Sequence, residues 1–320
     1  MSGVPKLLEI EDLAVAFPTG RGGWKRVVDG VSVEIEEGAS LALVGASGSG
    51  KSLTCLAALG LVPEGGRIAG GRVRLAGVEV RTAGEEQLRA LRGRVASLVQ
   101  QEPAANFNPV QRLWRAVSEA AARHHLAAGA RQRKGLAIRL LAEVGLEDAE
   151  AMAEAFPHQL SGGQRQRAAV AAALAAEPRL LVADEPTSAL DAVSQVELLQ
   201  LLARLRRDRG LGVLLVTHDL ELAAAAAERM AVLHAGETVE IGASARLMQG
   251  PAHPCTQALV AGNGSASAPR EPERSRCRFL AACPRAMPRC RQARPALAAG
   301  PEGGSVRCFL WHDEAEPPYG

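Results

Sequence analysis

Short apolar runs that end in polar or glycine-rich segments recur along the chain. Four of them are predicted to be buried strands, at residues 41–44, 180–183, 213–216 and 230–233. Stretches with helical spacing of apolar residues separate these runs. Because strands that alternate with helices favour a parallel sheet, the pattern predicts an α/β fold whose site lies at the carboxyl edge of the sheet.

The segment between the second and third runs is predicted to be one helix. Ser188 and Asp191 have the spacing of a capping box, and Val193 and Val196 recur at helical spacing. Gly210 is expected to end this helix.

Three further regions are distinguished by composition. Residues 103–174 are alanine-rich and mostly helical in pattern, which predicts a helical subdomain over about 103–176. A stretch rich in Gly, Ser, Ala and Pro predicts a linker at 263–275. The expected organisation is one large domain over 1–262, the linker, and a cysteine-rich extension over 276–320.

Composition excludes some classes of partner. Lys and Arg number 37 against 35 Asp and Glu, and aromatic residues make up only 3% of the chain, so nucleic acid is not an expected partner. Neither a signal peptide nor a membrane-spanning run is visible. The sequence therefore predicts a soluble chain that reaches a membrane only through a partner.

A phosphate-binding loop follows the first apolar run. The segment fits that pattern in full, as Gly45-Ala46-Ser47-Gly48-Ser49-Gly50-Lys51-Ser52. The glycines allow backbone N–H groups to surround phosphates, and the helix that follows adds the positive end of its dipole. We expect Lys51 to reach the β- and γ-phosphates of ATP and Ser52 to ligate Mg²⁺.

Two carboxylates end the second apolar run. Asp184 is expected to hold Mg²⁺, directly or through water, and Glu185 to polarise the attacking water. In isolation such a pair is more often a solvated turn. The phosphate-binding loop upstream favours the functional interpretation.

The segment Leu160-Ser161-Gly162-Gly163-Gln164 resembles the signature motif of ABC ATPases. The resemblance implies a P-loop NTPase fold with a mostly parallel core sheet, an inserted α-helical subdomain and a small cysteine-rich C-terminal extension. It also implies that this motif covers the γ-phosphate of ATP held by a second ABC ATPase subunit, expected to be a sibling chain. The resemblance spans roughly residues 7–245.

Other positions match further motifs of the same family. Gln101 resembles the Q-loop glutamine, which senses magnesium and the attacking water, and Asp191 ends a segment that resembles the D-loop. His218 resembles the switch histidine that contacts the γ-phosphate. Phe17 stands where the family places an aromatic ring against adenine, although it could equally be a core residue, with Trp24 nearby.

Several segments resemble the ATPases of dipeptide, oligopeptide and nickel importers, namely 108–109, 157–160, 183–187 and 251–256. Residues 52–55 and 105–109 look closer to the nickel branch. Ala46 and Glu102 depart from the usual glutamate and aspartate of peptide importers. The resemblance implies two membrane-spanning permeases, a periplasmic or lipid-anchored substrate-binding protein, and a location at the cytoplasmic face of the inner membrane.

Four cysteines distinguish the C-terminal extension: Cys277, Cys283, Cys290 and Cys308. Their spacing resembles that of peptide-importer ATPases, which implies a four-iron–four-sulfur cluster. Zinc and four unliganded thiols are the alternatives. The arginines between them are expected to lower the thiol pKa values, or to form a solvated basic face or a contact for anionic lipid.

Two other functions compete with transport. One is a soluble ABC protein of translation or DNA repair, which would usually carry two cassettes or a long inserted coiled coil. The other is an ATPase component of a phosphonate-cleaving complex, whose ATPases resemble those of peptide importers.

Overall fold

The structure is a computed structural model that describes residues 6–20, 22–102, 107–262 and 276–315. The predicted linker at 263–275 lies outside the described residues, as do residues 103–106 of the predicted helical subdomain. The domain boundaries given above therefore stay a prediction.

Strands and helices alternate along most of the described chain. The strands are β1 (Lys6–Pro18), β2 (Trp24–Glu36), β3 (Ser40–Val44), β4 (Arg67–Leu75), β5 (Val78–Glu79), β6 (Ala96–Val99), β7 (Leu180–Asp184), β8 (Gly212–Thr217), β9 (Arg229–His234), β10 (Glu237–Ala243), β11 (Ala298–Ala299) and β12 (Ser305–Val306). The α-helices are α1 (Lys51–Ala58), α2 (Glu85–Leu91), α3 (Leu113–Val117), α4 (Glu119–Arg123), α5 (Gly129–Glu143), α6 (Ala149–Glu154), α7 (Gly162–Leu174), α8 (Ala192–Arg209), α9 (Leu220–Ala226), α10 (Ser244–Gln249), α11 (Pro254–Val260) and α12 (Pro288–Gln292). Short 3-10 helices occupy Pro157–Gln159, Leu280–Ala282 and Pro301–Gly303.

The chain divides into two compact units. The first unit comprises residues 6–7 and 36–39 and the described part of 82–214. The second unit comprises the described parts of 8–35, 40–81 and 215–320. The four apolar runs predicted as strands form β3, β7, β8 and β9, so that prediction is confirmed.

The first unit combines a parallel strand pair with a group of helices. Strands β6 and β7 pair in parallel, with Val99 opposite Ala183. The helices α3 to α7 bury apolar side chains that include Leu113, Leu141 and Val170. These helices occupy the region that the sequence predicted to be helical.

Helix α8 begins differently from the prediction but ends as predicted. Its N-cap is Asp191, which accepts the backbone N–H groups of Val193 and Ser194, so the capping box proposed with Ser188 is wrong. Val193 is 68% exposed, because the buried face is formed by leucines such as Leu198 and Leu202. The helix ends at Gly210 in the left-handed conformation, as predicted.

The second unit contains two sheets. One has the order β2-β1-β4-β5, and β4 is antiparallel to both β1 and β5. The other runs β11-β12-β10-β9-β3, in which β3 and β9 are parallel while β10 is antiparallel to β9 and β12. The parallel pair β3–β9 lies where the phosphate-binding loop begins.

The described C-terminal segment, residues 276–315, is part of the second unit. Its Phe279 is 3% exposed and packs in a core cluster with Val44, Met230 and Val232. Its strand β12 pairs with β10 through Ser305 and Val306. Among the described residues, no helix is long and apolar enough to cross a membrane.

Candidate functional site

The phosphate-binding loop connects β3 to α1 in the second unit. Gly45 has a φ of 150°, and a Cβ there would lie 2.2 Å from the Leu233 carbonyl oxygen. A side chain at this position is therefore excluded by both conformation and space. Ser47 and Gly48 are exposed, so the turn of the loop is open to a ligand.

Lys51 begins α1 and folds back over the loop. Its Nζ donates to the carbonyl oxygens of Gly45 at 2.8 Å and Ala46 at 3.1 Å, and the residue is 5% exposed. Ser49 Oγ is buried without a hydrogen-bond partner in the described structure. Ser52 is exposed on the first turn of α1. Cation, hydroxyls and helix N-terminus together suit a phosphate group.

The first unit presents polar side chains beyond β6 and β7. Strands β6 and β7 are parallel, and Val99 lies opposite Ala183. Gln101 comes two residues after Val99, and Glu185 comes two residues after Ala183, so both follow the carboxyl ends of these strands. Gln101 is exposed, whereas Asp184 and Glu185 are half-buried.

Glu185 has an uncommon backbone conformation, with a φ of 46° in the left-handed region. Its carbonyl oxygen accepts the backbone N–H of Ser188 at 3.2 Å and the Ser188 hydroxyl at 3.1 Å. A residue held in this region is strained, and such strain is concentrated at functional sites.

His218 follows β8 and lies in the second unit, where it is exposed. Its neighbour Asp219 caps α9, because Oδ1 accepts the Leu222 backbone N–H at 2.9 Å. Helix α9 thus begins directly after His218, and the imidazole is carried by the short link between a buried strand and a capped helix.

The signature segment forms the start of α7. Ser161 is the N-cap, and Ser161 and Gln164 make a reciprocal capping box: Gln164 N–H donates to Ser161 Oγ at 3.2 Å, and Ser161 N–H donates to Gln164 Oε1 at 2.9 Å. Ser161 and Gly162 are exposed, and Gly163 is half-buried. This is the uncovered N-terminus of a 13-residue helix, which favours contact with an anion.

Asp191 is engaged within its own helix. Hydrogen bonds from Ser194 backbone and hydroxyl groups, at 3.0 and 2.7 Å, hold the pKa of the Asp191 carboxyl below its ordinary value. The carboxylate is therefore ionised and oriented by α8.

Phe17 lies near the end of β1 and is half-buried. Its ring packs so close to Gly66 that a Cβ there would lie 2.6 Å from Phe17 Cε1. The exposed Trp24 is covered by the Arg67 guanidinium, 3.8 Å from the ring centroid. Phe17 thus has one packed face, and its proposed contact with adenine stays a prediction.

The four cysteines of the C-terminal segment lie around one cavity. Its lining includes Cys277, Cys283, Cys290 and Cys308 together with apolar side chains such as Phe309. None of the four is in a disulfide. Within the described ranges, however, no group of three or more His, Cys, Asp or Glu is arranged to hold a metal ion.

The thiol pKa values move opposite to the expectation. Burial raises the pKa of Cys277 to about 12, and it also raises the pKa values of Cys283 and Cys308. Arg285 opposes this increase at Cys283 and Cys308 without overcoming it. The predicted lowering by a neighbouring arginine is present at Cys283 and Cys308, but burial outweighs it, so the expected net decrease in pKa is wrong for the three cysteines.

The expected basic face is also only partly present. Arg278 and Arg294 are 5% and 3% exposed, and both form ion pairs with the buried Glu237. Arg307, 1% exposed, lies 3.9 Å from the same carboxylate. Sequence reasoning missed this network, since its acid stands 41 residues before Arg278 in the numbering.

Comparison with known proteins decides the family. The model of the family described as ABC transporter matches residues 28–188. The chain belongs to the ABC transporter family. It is an ATPase subunit of the transporter class, and the predicted resemblance to ABC ATPases is confirmed.

Relatives and solved structures extend the match. The oligopeptide transport ATP-binding protein AppD of Bacillus subtilis is 38% identical over 302 residues, 90% of this chain and 92% of AppD. The dipeptide transport ATP-binding protein DppD of Escherichia coli is 34% identical over 325 residues, 98% of this chain and 99% of DppD. The cassette MJ0796, solved as a dimer, gives a TM-score of 0.66 at 28% identity, covering 74% of this chain and 98% of MJ0796. These matches confirm the predicted ABC ATPase fold.

Proposed function

We propose that this ABC ATPase powers an importer of peptides across the inner membrane, bound at its cytoplasmic face. The observation that carries the proposal is the near-full-length similarity to AppD and DppD, which reaches 98% of the chain for DppD. Those two relatives are named as transport proteins for oligopeptides and dipeptides.

The phosphate-binding loop is proposed to bind ATP. Lys51 faces the β- and γ-phosphates, and the loop glycines, including Gly48 and Gly50, allow the backbone to turn its N–H groups toward them. Ser52 and Asp184 are the proposed Mg²⁺ ligands, with a hydroxyl and a carboxylate oxygen as the hard donors this ion prefers. The bound ion neutralises charge on the phosphates.

Hydrolysis is assigned to three side chains beyond the strand ends. Glu185 accepts a proton from the attacking water, and this half-buried residue has a left-handed backbone conformation directly after β7. Gln101 orients that water and senses the ion, and His218 contacts the γ-phosphate.

A second cassette completes each site in this proposal. Ser161, Gly162 and Gly163 form an uncovered helix N-terminus suited to a γ-phosphate held by another subunit. MJ0796, which resembles this chain, was solved as a dimer. The partners are thus a second ABC ATPase subunit, two permeases and, indirectly, a substrate-binding protein.

Isolation of the chain from membranes of its source cells tests the assembly. We expect it to copurify with two membrane-spanning proteins, and membrane vesicles with the assembled complex to accumulate labelled dipeptide or oligopeptide when ATP is supplied. Accumulation of nickel ions without peptide would show that the transported substrate is nickel. Copurification with enzyme subunits and no permease would instead support a phosphonate-cleaving or other non-transport complex.

For the C-terminal segment we further propose a four-iron–four-sulfur cluster held by Cys277, Cys283, Cys290 and Cys308. The support is the position of all four thiols on one cavity. Cys290 also contributes to the raised pKa values of Cys277, Cys283 and Cys308, although burial is the largest cause. In an iron–sulfur cluster the four thiolates bind different iron atoms and lie further apart than four ligands of a single metal ion.

Metal analysis of anaerobically purified protein tests this assignment. We expect brown protein with about four irons per chain, and loss of the iron in Cys283→Ser with ATP binding retained. Cys255→Ser is the matched control, because Cys255 is a buried thiol of the same unit outside the cavity lining. One zinc per chain, or no metal, would reject the cluster.

A further inference from the structure

The turn between β9 and β10 lies directly behind the phosphate-binding loop. The backbone N–H of Gly236 donates to the Ser49 carbonyl oxygen at 3.0 Å. Gly45 contacts the other side of the same turn, at the Leu233 carbonyl. The position of this turn therefore constrains the loop at two points, Gly45 and Ser49.

Two residues of the turn have left-handed backbone conformations. Ala235 has a φ of 49° and Gly236 a φ of 84°. A Cβ on Gly236 would lie 2.3 Å from the Val27 carbonyl oxygen. The turn is therefore tightly packed. The left-handed conformation of Ala235 is unfavourable for an L-residue, so contacts with surrounding residues must stabilise it.

Arg278 of the C-terminal segment supplies that support. Its Nη1 donates to the Ala235 carbonyl oxygen at 2.6 Å, and its Nη2 donates to Asp29 Oδ2 at 2.5 Å. Asp29 in turn donates its backbone N–H to the Gly236 carbonyl oxygen at 2.7 Å. A guanidinium holds both acceptors at once because its donors form a rigid, planar fork.

Arg294, also in the C-terminal segment, binds Glu237 and Asp29 next to the same turn. Its Nε donates to Glu237 Oε2 at 2.6 Å, and its Nη2 donates to the Asp29 carbonyl oxygen at 2.7 Å. Each of these charges is almost fully buried. Buried charges persist only when they are paired and hydrogen-bonded, so the network fixes the turn in one position.

We propose that Arg278 is a positioning residue for nucleotide binding. It acts through Ala235, Asp29 and Gly236 on the Ser49 carbonyl, and so makes the geometry of the phosphate-binding loop depend on the cysteine-rich segment. Cys277 precedes Arg278 and donates its backbone N–H to the Cys290 carbonyl oxygen at 3.1 Å, which ties this arginine to the cysteine cavity. The inference rests on the proposed assignment of 45–52 as the ATP-binding loop.

Substitution of Arg278 in the full-length chain tests the proposal, with Arg246→Met as the matched control. Arg246 pairs with the buried Glu240 at 2.7 Å in the same unit, and it also donates to the Gly250 carbonyl oxygen, so these bonds involve neither the turn nor Asp29. We expect Arg278→Met to weaken MgATP binding about tenfold, while Arg246→Met lowers the melting temperature with affinity unchanged. Arg278→Lys, which keeps the charge but not the fork, should fall between wild type and Arg278→Met.

Hydrogen exchange of the unliganded protein provides a readout that needs no nucleotide. Peptides covering 45–52 and 233–237 should exchange faster in Arg278→Met than in Arg246→Met. Equal exchange and equal MgATP affinity in the two variants would overturn the proposal. If the wild-type chain fails to bind ATP, the proposed function fails, and exchange alone still decides whether Arg278 positions the loop.

Discussion

In the phosphate-binding loop, the groups that matter are backbone N–H groups and short hydroxyls, with Ser47 and Gly48 open to solvent. In the C-terminal segment they are long arginine side chains, buried against Asp29 and Glu237. Within the loop, Lys51 Nζ donates to the carbonyl oxygens of Gly45 and Ala46, whereas the arginines reach acids between 41 and 249 residues away in the numbering. Both regions belong to the second unit.

The difference separates ligand binding from stability. The exposed polar groups of the phosphate-binding loop are available to a ligand, so their loss should affect ligand binding more than folding. Charges that are buried and mutually paired carry folding free energy, because removal of one leaves the others without compensation. Variants of the two regions should therefore differ in what they change.

The largest effect is expected at Glu185. In Glu185→Gln the amide cannot take a proton from water, so ATP turnover in the assembled complex should fall about 10²–10⁴-fold while ATP binding is retained. Glu177→Gln is the control. Glu177 also has a left-handed backbone conformation, with a φ of 55°, but its carboxylate forms an exposed ion pair with Arg94. Turnover at the wild-type rate in Glu185→Gln would remove its catalytic role.

Glu237→Gln tests the buried side of the comparison. Burial alone would raise the pKa of Glu237, but the charges of Arg294, Arg278 and Arg307 outweigh it and hold the pKa below its ordinary 4.5. We expect the variant to lose about 3–5 kcal/mol of unfolding free energy in urea. Glu197→Gln, on an ion pair with Arg167 and 53% exposed, should lose about 1 kcal/mol at most.

The same carboxylate gives a dependence on pH. A carboxyl whose folded pKa is depressed contributes stability that is present above its unfolded pKa and is lost as pH falls through the folded value. Wild-type stability should accordingly drop below pH 4.5, and Glu237→Gln should show a shallower drop. A drop of equal size in both proteins would contradict the assignment.

Lys51→Ala should change binding more than stability. Loss of a charged hydrogen bond to phosphate corresponds to about 1.5–3 kcal/mol, or roughly 10–150-fold in the Kd for MgATP measured by titration. Lys134→Ala, which removes a surface ion pair with Glu154, should leave the Kd unchanged. A Lys51→Ala protein that binds MgATP like wild type would show that the loop does not bind phosphate.

An effect that is smaller per pH unit concerns His253, which caps α11 through a 2.9 Å hydrogen bond from the Cys255 backbone N–H. Burial lowers the pKa of His253 from 6.5 to about 3. As pH falls below 6.5, His253 binds a proton in the unfolded chain but stays neutral in the folded chain until about pH 3. The free energy of unfolding should therefore fall over this range as pH decreases, by up to about 1.4 kcal/mol per pH unit. His253→Asn should flatten this slope in urea titrations, and His125→Asn, at an exposed position, should not.

Prediction from sequence succeeded where interactions are local. The strands at 41–44 and 180–183 follow from short apolar runs, and the end of α8 at Gly210 follows from its glycine. The exposure of Val193 and the buried role of Arg278 could not be predicted, because each depends on which distant element packs against it. The raised pKa of Cys277 follows from the same burial.

If this chain hydrolyses ATP as one of two cassettes in a transporter, its turnover depends on a second cassette. The most direct measurement is the ATP hydrolysis rate per chain, for the isolated protein over a dilution series and for the complex with its permeases in membranes. We expect little hydrolysis by the dilute isolated chain and a high rate in the complex. A strictly monomeric chain that keeps the full rate at high dilution would contradict this assignment.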